Sequence, residues 1–188
     1  MFLSIVFQLT KFLRVLYLML GAMIATALLA TSSAHAWQAK KIADGLILPW
    51  GLTYLDENTL LLTERSGIIK QLNLKTGQHH ALFKVPNVWD KGQGGLLDIA
   101  KSPFHADTVY FTYSKNINGQ GATTLALANY QQGKLTNWQD LLVTSSLSDT
   151  GRHFGSRITF DNNSVYFSIG DRGVRANGQD TQTHAGSI

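Results

Sequence analysis

Past residue 36, short apolar runs alternate with polar turns, and no stretch sustains the three-to-four spacing of an amphipathic helix. Residues 51–55 form a first run, ended by the turn Asp56-Glu57-Asn58. Residues 59–63 follow and end at Ser66-Gly67. Residues 68–74 lead into Lys75-Thr76-Gly77, and residues 78–85 close the group. Four strands joined by tight turns in about 40 residues make a unit the size of one propeller blade. A second group covers residues 95–101, 108–114, 122–130 and 134–144, with residues 116–121 as a polar loop inside it. A third begins with residues 156–160, the turn Asp161-Asn162-Asn163 and residues 164–169. The second strand of each group has an apolar triplet followed by a hydroxyl: Leu60-Leu61-Leu62-Thr63, Val109-Tyr110-Phe111-Thr112 and Val165-Tyr166-Phe167-Ser168.

This repeat predicts an all-β chain of propeller type, in which each blade buries its faces against its neighbours. An open β-sandwich has similar turn spacing and is the alternative. About two and a half blades are present, whereas a ring needs at least four. Residues 37–188 therefore read as the N-terminal portion of a truncated propeller, with residues 185–188 as the start of another strand. No second domain and no long linker are expected.

Residues 1–36 read as a secretory signal peptide. Lys11 and Arg14 precede an uncharged apolar run over residues 15–30, and Ala34-His35-Ala36 places small residues where signal peptidase reads them. The run is shorter than the roughly 20 residues that span a bilayer. Cleavage after Ala36 predicts a periplasmic or secreted protein with no stable membrane insertion afterwards. The absence of cysteine is compatible with export. Removing Lys11 and Arg14 from the 16 basic residues leaves 14 against 12 acidic ones, a balance of +2. With no basic run, nucleic acid is not an expected partner.

Candidate chemistry sits in two glycine-rich loops at the mouths of predicted strands. Gly151-Arg152-His153-Phe154-Gly155-Ser156 holds an imidazole able to take a proton near neutral pH. Gly92-Gln93-Gly94-Gly95 holds an amide able to donate to a carbonyl. Taken alone, each also fits ordinary turn chemistry. Asp171, before Arg172-Gly173, fits either a turn residue or a partner for His153. The adjacent His79 and His80 face opposite ways on a strand, which argues against a shared metal. His105 reads as a turn residue. Trp50 and Trp89 read as packing residues, and Glu64-Arg65 as a structural pair at a blade edge.

An ordered set of motifs from residue 46 to 188 resembles the glucose/sorbosone dehydrogenase family, closest to its aldose sugar dehydrogenase branch. The set comprises Leu48-Pro49-Trp50-Gly51-Leu52, Leu62-Thr63-Glu64-Arg65, Val85-Pro86-Asn87-Val88-Trp89, Gly92-Gln93-Gly94-Gly95-Leu96-Leu97-Asp98, Ser102-Pro103-Phe104, His153-Phe154-Gly155-Ser156-Arg157 and Ile169-Gly170-Asp171. The resemblance implies a secreted six-bladed β-propeller that uses pyrroloquinoline quinone (PQQ). It implies oxidation of an aldose at the anomeric carbon to the lactone, with electrons passed to an external acceptor. It further implies His153 as general base, Asp171 as its support and Gln93 beside the quinone carbonyls. Arg152 stands where the family often has Asp or Asn, and is expected to face a cofactor carboxylate. Ser156 replaces a common glycine. The Ca²⁺ beneath the cofactor, and most groups that hold PQQ, are expected from blades beyond residue 188, so this chain alone is expected to be inactive. A calcium-dependent lactonase on a similar propeller and a non-enzymatic binding propeller are the alternatives, and fold does not choose among them.

Overall fold

The computed structural model describes residues 13–21, 23 and 37–188, and the chain divides into two units, Met1–Lys40 and Lys41–Ile188. In the first unit, residues 13–21 are helical. No helix among the described residues is long and apolar enough to cross a membrane. The candidate cleavage site Ala34-His35-Ala36 lies outside the described residues.

The second unit is built from antiparallel sheets. Strands β1 (Pro49–Asp56), β2 (Thr59–Glu64), β3 (Ile68–Asn73) and β4 (His79–Lys84) form one four-stranded meander in that order. Strands β5 (Leu96–Lys101), β6 (Thr108–Ile117), β7 (Gln120–Gln131) and β8 (Lys134–Val143) form a second. Strands β9 (Ile158–Phe160) and β10 (Val165–Phe167) pair as the start of a third. Beyond β10, the Ile169 amide donates to the Ser187 carbonyl and the Gly186 amide to the Ile169 carbonyl, so the chain end runs beside this sheet. Between them, Arg175–Gln179 form a 3₁₀ turn.

Residues 116–121 are not the loop that their polarity predicts: β6 and β7 stay paired out to Ile117 and Gln120. Asn118 and Gly119 alone make the connection, with φ of 51° and 86°. Positive φ at both central residues is what a two-residue type I′ hairpin requires, and it follows the right-handed twist of the strands.

The apolar triplets follow from blades stacked face to face. On β6, Val109, Phe111 and Tyr113 point into the core shared with the first sheet, which also holds Leu61, Ile69, Leu96 and Ile99. The intervening Tyr110 points the other way and packs with Leu125, Ile158, Phe167 and Ile169 of the second and third sheets. Successive side chains alternate faces. With both faces covered, the polar alternation expected of a half-exposed strand disappears. On β2, Leu61 likewise joins the inter-blade core, while Leu60 and Leu62 pack with Leu72, Ala43 and Leu46.

The hydroxyl after each of the first two triplets ties one blade to the next, and that after the third acts within its own blade. Thr63 Oγ accepts from the Gly51 amide at 2.9 Å and donates to the Leu97 carbonyl at 2.6 Å. Thr112 Oγ accepts from the Asp98 amide at 3.1 Å and donates to the Ser156 carbonyl at 2.6 Å. Ser168 Oγ accepts from the Arg157 amide at 3.2 Å. Gly51 on β1, Asp98 on β5 and Arg157 just before β9 are thus equivalent positions in three blades. These first strands lie side by side, β1 against β5 and β5 against β9. Buried Asp98 reinforces the second junction, accepting from the Ile158 amide at 2.7 Å and pairing with Arg157 at 3.2 Å. The loops entering β5 and β9 are therefore brought to the same end of the stack.

Candidate active site

The loop that carries Gln93 is fixed at several points. Trp89 is buried, and its indole N–H donates to the Gly119 carbonyl at 2.9 Å. Arg65 Nη1 donates to the Gly92 carbonyl at 2.7 Å. The Gln93 amide donates to the Gly151 carbonyl at 2.8 Å, joining this loop to the one that carries His153. At Gly92, φ is 58° and a Cβ would fall 2.2 Å from the Gly151 oxygen. Only glycine permits that approach.

The second loop is anchored by Phe154, which is buried against Trp89 with ring centroids 5.6 Å apart. His153 beside it has φ 55°, a left-handed conformation rare for a residue with a side chain. Its amide donates to Gln93 Oε1 at 2.8 Å, and its Nδ1 lies 2.7 Å from Asp171 Oδ1. Its carbonyl packs where a Cβ on Gly170 would stand, 2.0 Å away, which explains the glycine before Asp171. Asp171 also accepts from the Gly173 amide at 2.7 Å. The His153 hydrogen bond first, then that of Gly173, and more weakly the Arg152 charge, hold the Asp171 carboxyl below the usual carboxylate range.

Trp50, Gln93, Leu97, His153, Phe154 and Gly155 line a cleft of about 290 Å³. Its walls are largely apolar, and its polar atoms are assigned by elimination. A backbone amide can only donate, so the Gln93 atom facing the His153 amide is the carbonyl oxygen, and the NH₂ group is left to donate. A carboxylate can only accept, so the neutral His153 ring carries its proton on Nδ1 and a lone pair on Nε2. Neither Gln93 Nε2 nor His153 Nε2 has a partner among the described residues. A larger open cleft of about 630 Å³ at the opposite end of β1 and β5, lined by Asp56, Lys101, Asp107 and Tyr130, contains no histidine.

Gln93, His153 and Asp171 thus form one hydrogen-bonded group. Arg152 stands apart from the cleft lining; its guanidinium lies against Gly173, at the back of Asp171. Ser156 keeps a glycine-like backbone at φ 89° while buried, and its hydroxyl donates to the Phe154 carbonyl at 3.3 Å. Trp89 packs as expected, but Trp50 is 52% exposed and forms a cleft wall. Glu64 and Arg65 do not act as a pair: Glu64 is buried with Lys70 at 2.7 Å, and Arg65 supports the Gln93 loop. His79 Nε2 contacts the Asp44 carbonyl at 2.7 Å, and His184 Nδ1 contacts Ser145 Oγ at 2.7 Å. Among the described residues, no group of three or more His, Cys, Asp or Glu side chains could hold a metal ion.

Antiparallel four-stranded blades, with a histidine in the loop entering β9 paired to a carboxylate that follows β10, define part of a β-propeller with a candidate acid–base site. The Glucose / Sorbosone dehydrogenase family matches over residues 46–188, and the chain belongs to it. It is 33% identical over 172 residues to an uncharacterised protein of Synechocystis, covering 80% of this chain and 42% of that protein. It is 30% identical over 154 residues to the aldose sugar dehydrogenase YliI of Escherichia coli, covering 78% of this chain and 42% of that protein. Among solved structures, the apo form of the soluble aldose sugar dehydrogenase from Escherichia coli superposes with a TM-score of 0.72 at 29% identity, covering 78% of this chain and 44% of that one. The PQQ-bound aldose sugar dehydrogenase from Streptomyces coelicolor gives 0.67 at 28% identity, covering 78% and 45%. The chain thus spans less than half the length of these relatives.

Proposed function

We propose that these residues form the acid–base part of a PQQ-dependent aldose dehydrogenase that oxidises the sugar at its anomeric carbon to the lactone. The observation that carries this reading is the pair of unpartnered nitrogens in one cleft, His153 Nε2 and Gln93 Nε2, with Asp171 behind the imidazole. His153 Nε2 takes the proton of the anomeric hydroxyl. Asp171 holds the ring in the tautomer that leaves Nε2 free, and faces the charge formed when the proton arrives. When bound, PQQ supplies the quinone that accepts the hydride.

The residues present fit such a group. Trp50, Leu97 and Phe154 give apolar walls for a flat ring system, and Gln93 Nε2 is free to donate to its carbonyl. Arg152, outside the cleft lining and against Gly173, would have to swing toward the cleft to meet a cofactor carboxylate. The Ca²⁺ of the proposed holoenzyme would draw its oxygen ligands from outside the described residues. The external electron acceptor would meet the protein in the periplasm or outside the cell, where the leader is read as sending it. Nucleic acid has no part in this reading.

Two measurements test it, in a protein carrying these residues over the full length of the relatives. PQQ is expected to quench a tryptophan fluorescence component that Trp50→Phe removes. An aldose is expected to reduce a dye acceptor only after PQQ and Ca²⁺ are added. Lactone hydrolysis without dye reduction would contradict the dehydrogenase reading and favour a lactonase.

A further inference from the structure

We propose that Arg172 is a positioning residue that locks the backbone of His153 to the second blade; the functional weight of this rests on reading His153 as the base. Arg172 is 2% exposed and makes no ion pair among the described residues. Its guanidinium instead meets neutral acceptors. Nε donates to the Ser146 carbonyl at 3.0 Å, Nη2 to Ser146 Oγ at 2.8 Å and to Thr123 Oγ1. Nη1 donates to the His153 carbonyl, and to the Gly170 carbonyl at 3.2 Å. The five N–H groups of an arginine thus find five acceptors. The Phe154 ring lies beneath, 4.4 Å from the guanidinium carbon.

These acceptors span a blade junction. Thr123 is on β7 and Ser146 follows β8, whereas His153 and Gly170 belong to the loops around the third sheet. A guanidinium buried without a carboxylate is costly to desolvate; burial lowers it to about 10, which still leaves it charged at neutral pH. A residue that only filled the space would be cheaper as an apolar side chain. What the charged fork adds is a grip on one peptide. His153 sits at φ 55°, a conformation that persists only where its surroundings hold it. Its amide is held by Gln93 and its carbonyl by Arg172. Two consecutive residues therefore act on His153, Asp171 on the imidazole and Arg172 on the backbone beneath it.

Hydrogen exchange and ¹⁵N NMR on the full chain test this with Arg172→Met and Arg172→Lys. The His153 amide is expected to exchange about tenfold faster or more in Arg172→Met, with its Nδ1–H signal broadened, while the Phe111 and Leu125 strand amides keep their protection. Arg172→Lys, which has the charge without the planar fork, is expected to restore only part of the protection. Unchanged His153 exchange in a folded Arg172→Met would overturn the proposal. So would an equal loss at the strand amides, or failure of both variants to fold, since either makes Arg172 a general core residue. The readout needs no turnover, so it stands or falls separately from the role of His153 in catalysis.

Discussion

The amide of His153 donates to the side-chain oxygen of Gln93 across 60 residues of sequence, at 2.8 Å. This bond joins the loop entering the second blade to the loop entering the third. It also settles which way the Gln93 amide faces, leaving its NH₂ toward the cleft. The two residues are therefore one structural unit. Replacing the Gln93 side chain acts on the geometry of His153, whereas replacing the His153 side chain leaves this bond in place.

Asp171 gives a pH dependence of definite sign. Its carboxyl is held below the ordinary 3.8, chiefly by the His153 hydrogen bond and then by the Gly173 amide. A depressed folded value means the carboxylate stabilises the folded loop fully above its unfolded pKa. That contribution is lost as pH falls through the depressed value. A ¹³C titration of the Asp171 carboxyl is expected to give a midpoint below 3.8, with His153 Nδ1 shifting in step. A midpoint at or above the ordinary value would show that the pair is not formed in solution.

The hydroxyl ties between blades predict a graded stability series. Thr112→Val removes the acceptor of the buried Asp98 amide and the donor to the Ser156 carbonyl. A cost of about 1–3 kcal/mol is expected in urea unfolding, with Thr63→Val similar for the same reason. Ser168→Ala is expected to cost less, because Ser168 Oγ makes a more exposed contact with the Arg157 amide. A loss below about 0.5 kcal/mol for both threonines would remove these ties from the account of blade stacking.

Much of the fold was legible because its signals are local. Turn residues at short intervals and apolar triplets located all ten strands within a few residues. The Asn118-Gly119 hairpin was missed because Lys115, Asn116 and Gln120 around it are polar; pairing there continues past the end of the apolar pattern. The candidate site was legible in part. The motifs single out Gln93, His153 and Asp171, which the structure joins by hydrogen bonds, but not what holds them. Glu64 and Arg65 are neighbours in sequence and take different partners, because Glu64 ends β2 beside Lys70 of β3 while Arg65 begins the turn that follows. Trp50 is a cleft wall instead of a core residue because of where the next blade lies. Arg172 carries no sequence signal: a charged residue in a turn is normally solvated, and its acceptors converge only in three dimensions.

Ser156 stands where the family commonly has glycine, and its φ of 89° shows why glycine suits the position. Ser156→Gly is expected to leave stability unchanged or to raise it by up to about 1 kcal/mol, as relief of left-handed strain offsets the greater freedom of the unfolded chain. Ser156→Val, with a branched Cβ in the same conformation at a buried site, is expected to cost about 2 kcal/mol or more. Equal stability of the valine variant in chemical denaturation would mean that the backbone relaxes here at little cost.

The proposed role of His153 Nε2 as the base can be measured directly. The most direct measurement is steady-state dye reduction by an aldose, with PQQ titrated in parallel, for His153→Gln in a protein of the relatives' full length. Glutamine keeps the backbone amide and carbonyl that Gln93 and Arg172 hold, so the loops and the cofactor titration are expected to be unchanged. Turnover is expected to fall by about 10²–10⁴-fold, the usual contribution of a general base. Near-normal turnover with unchanged PQQ binding would contradict the assignment.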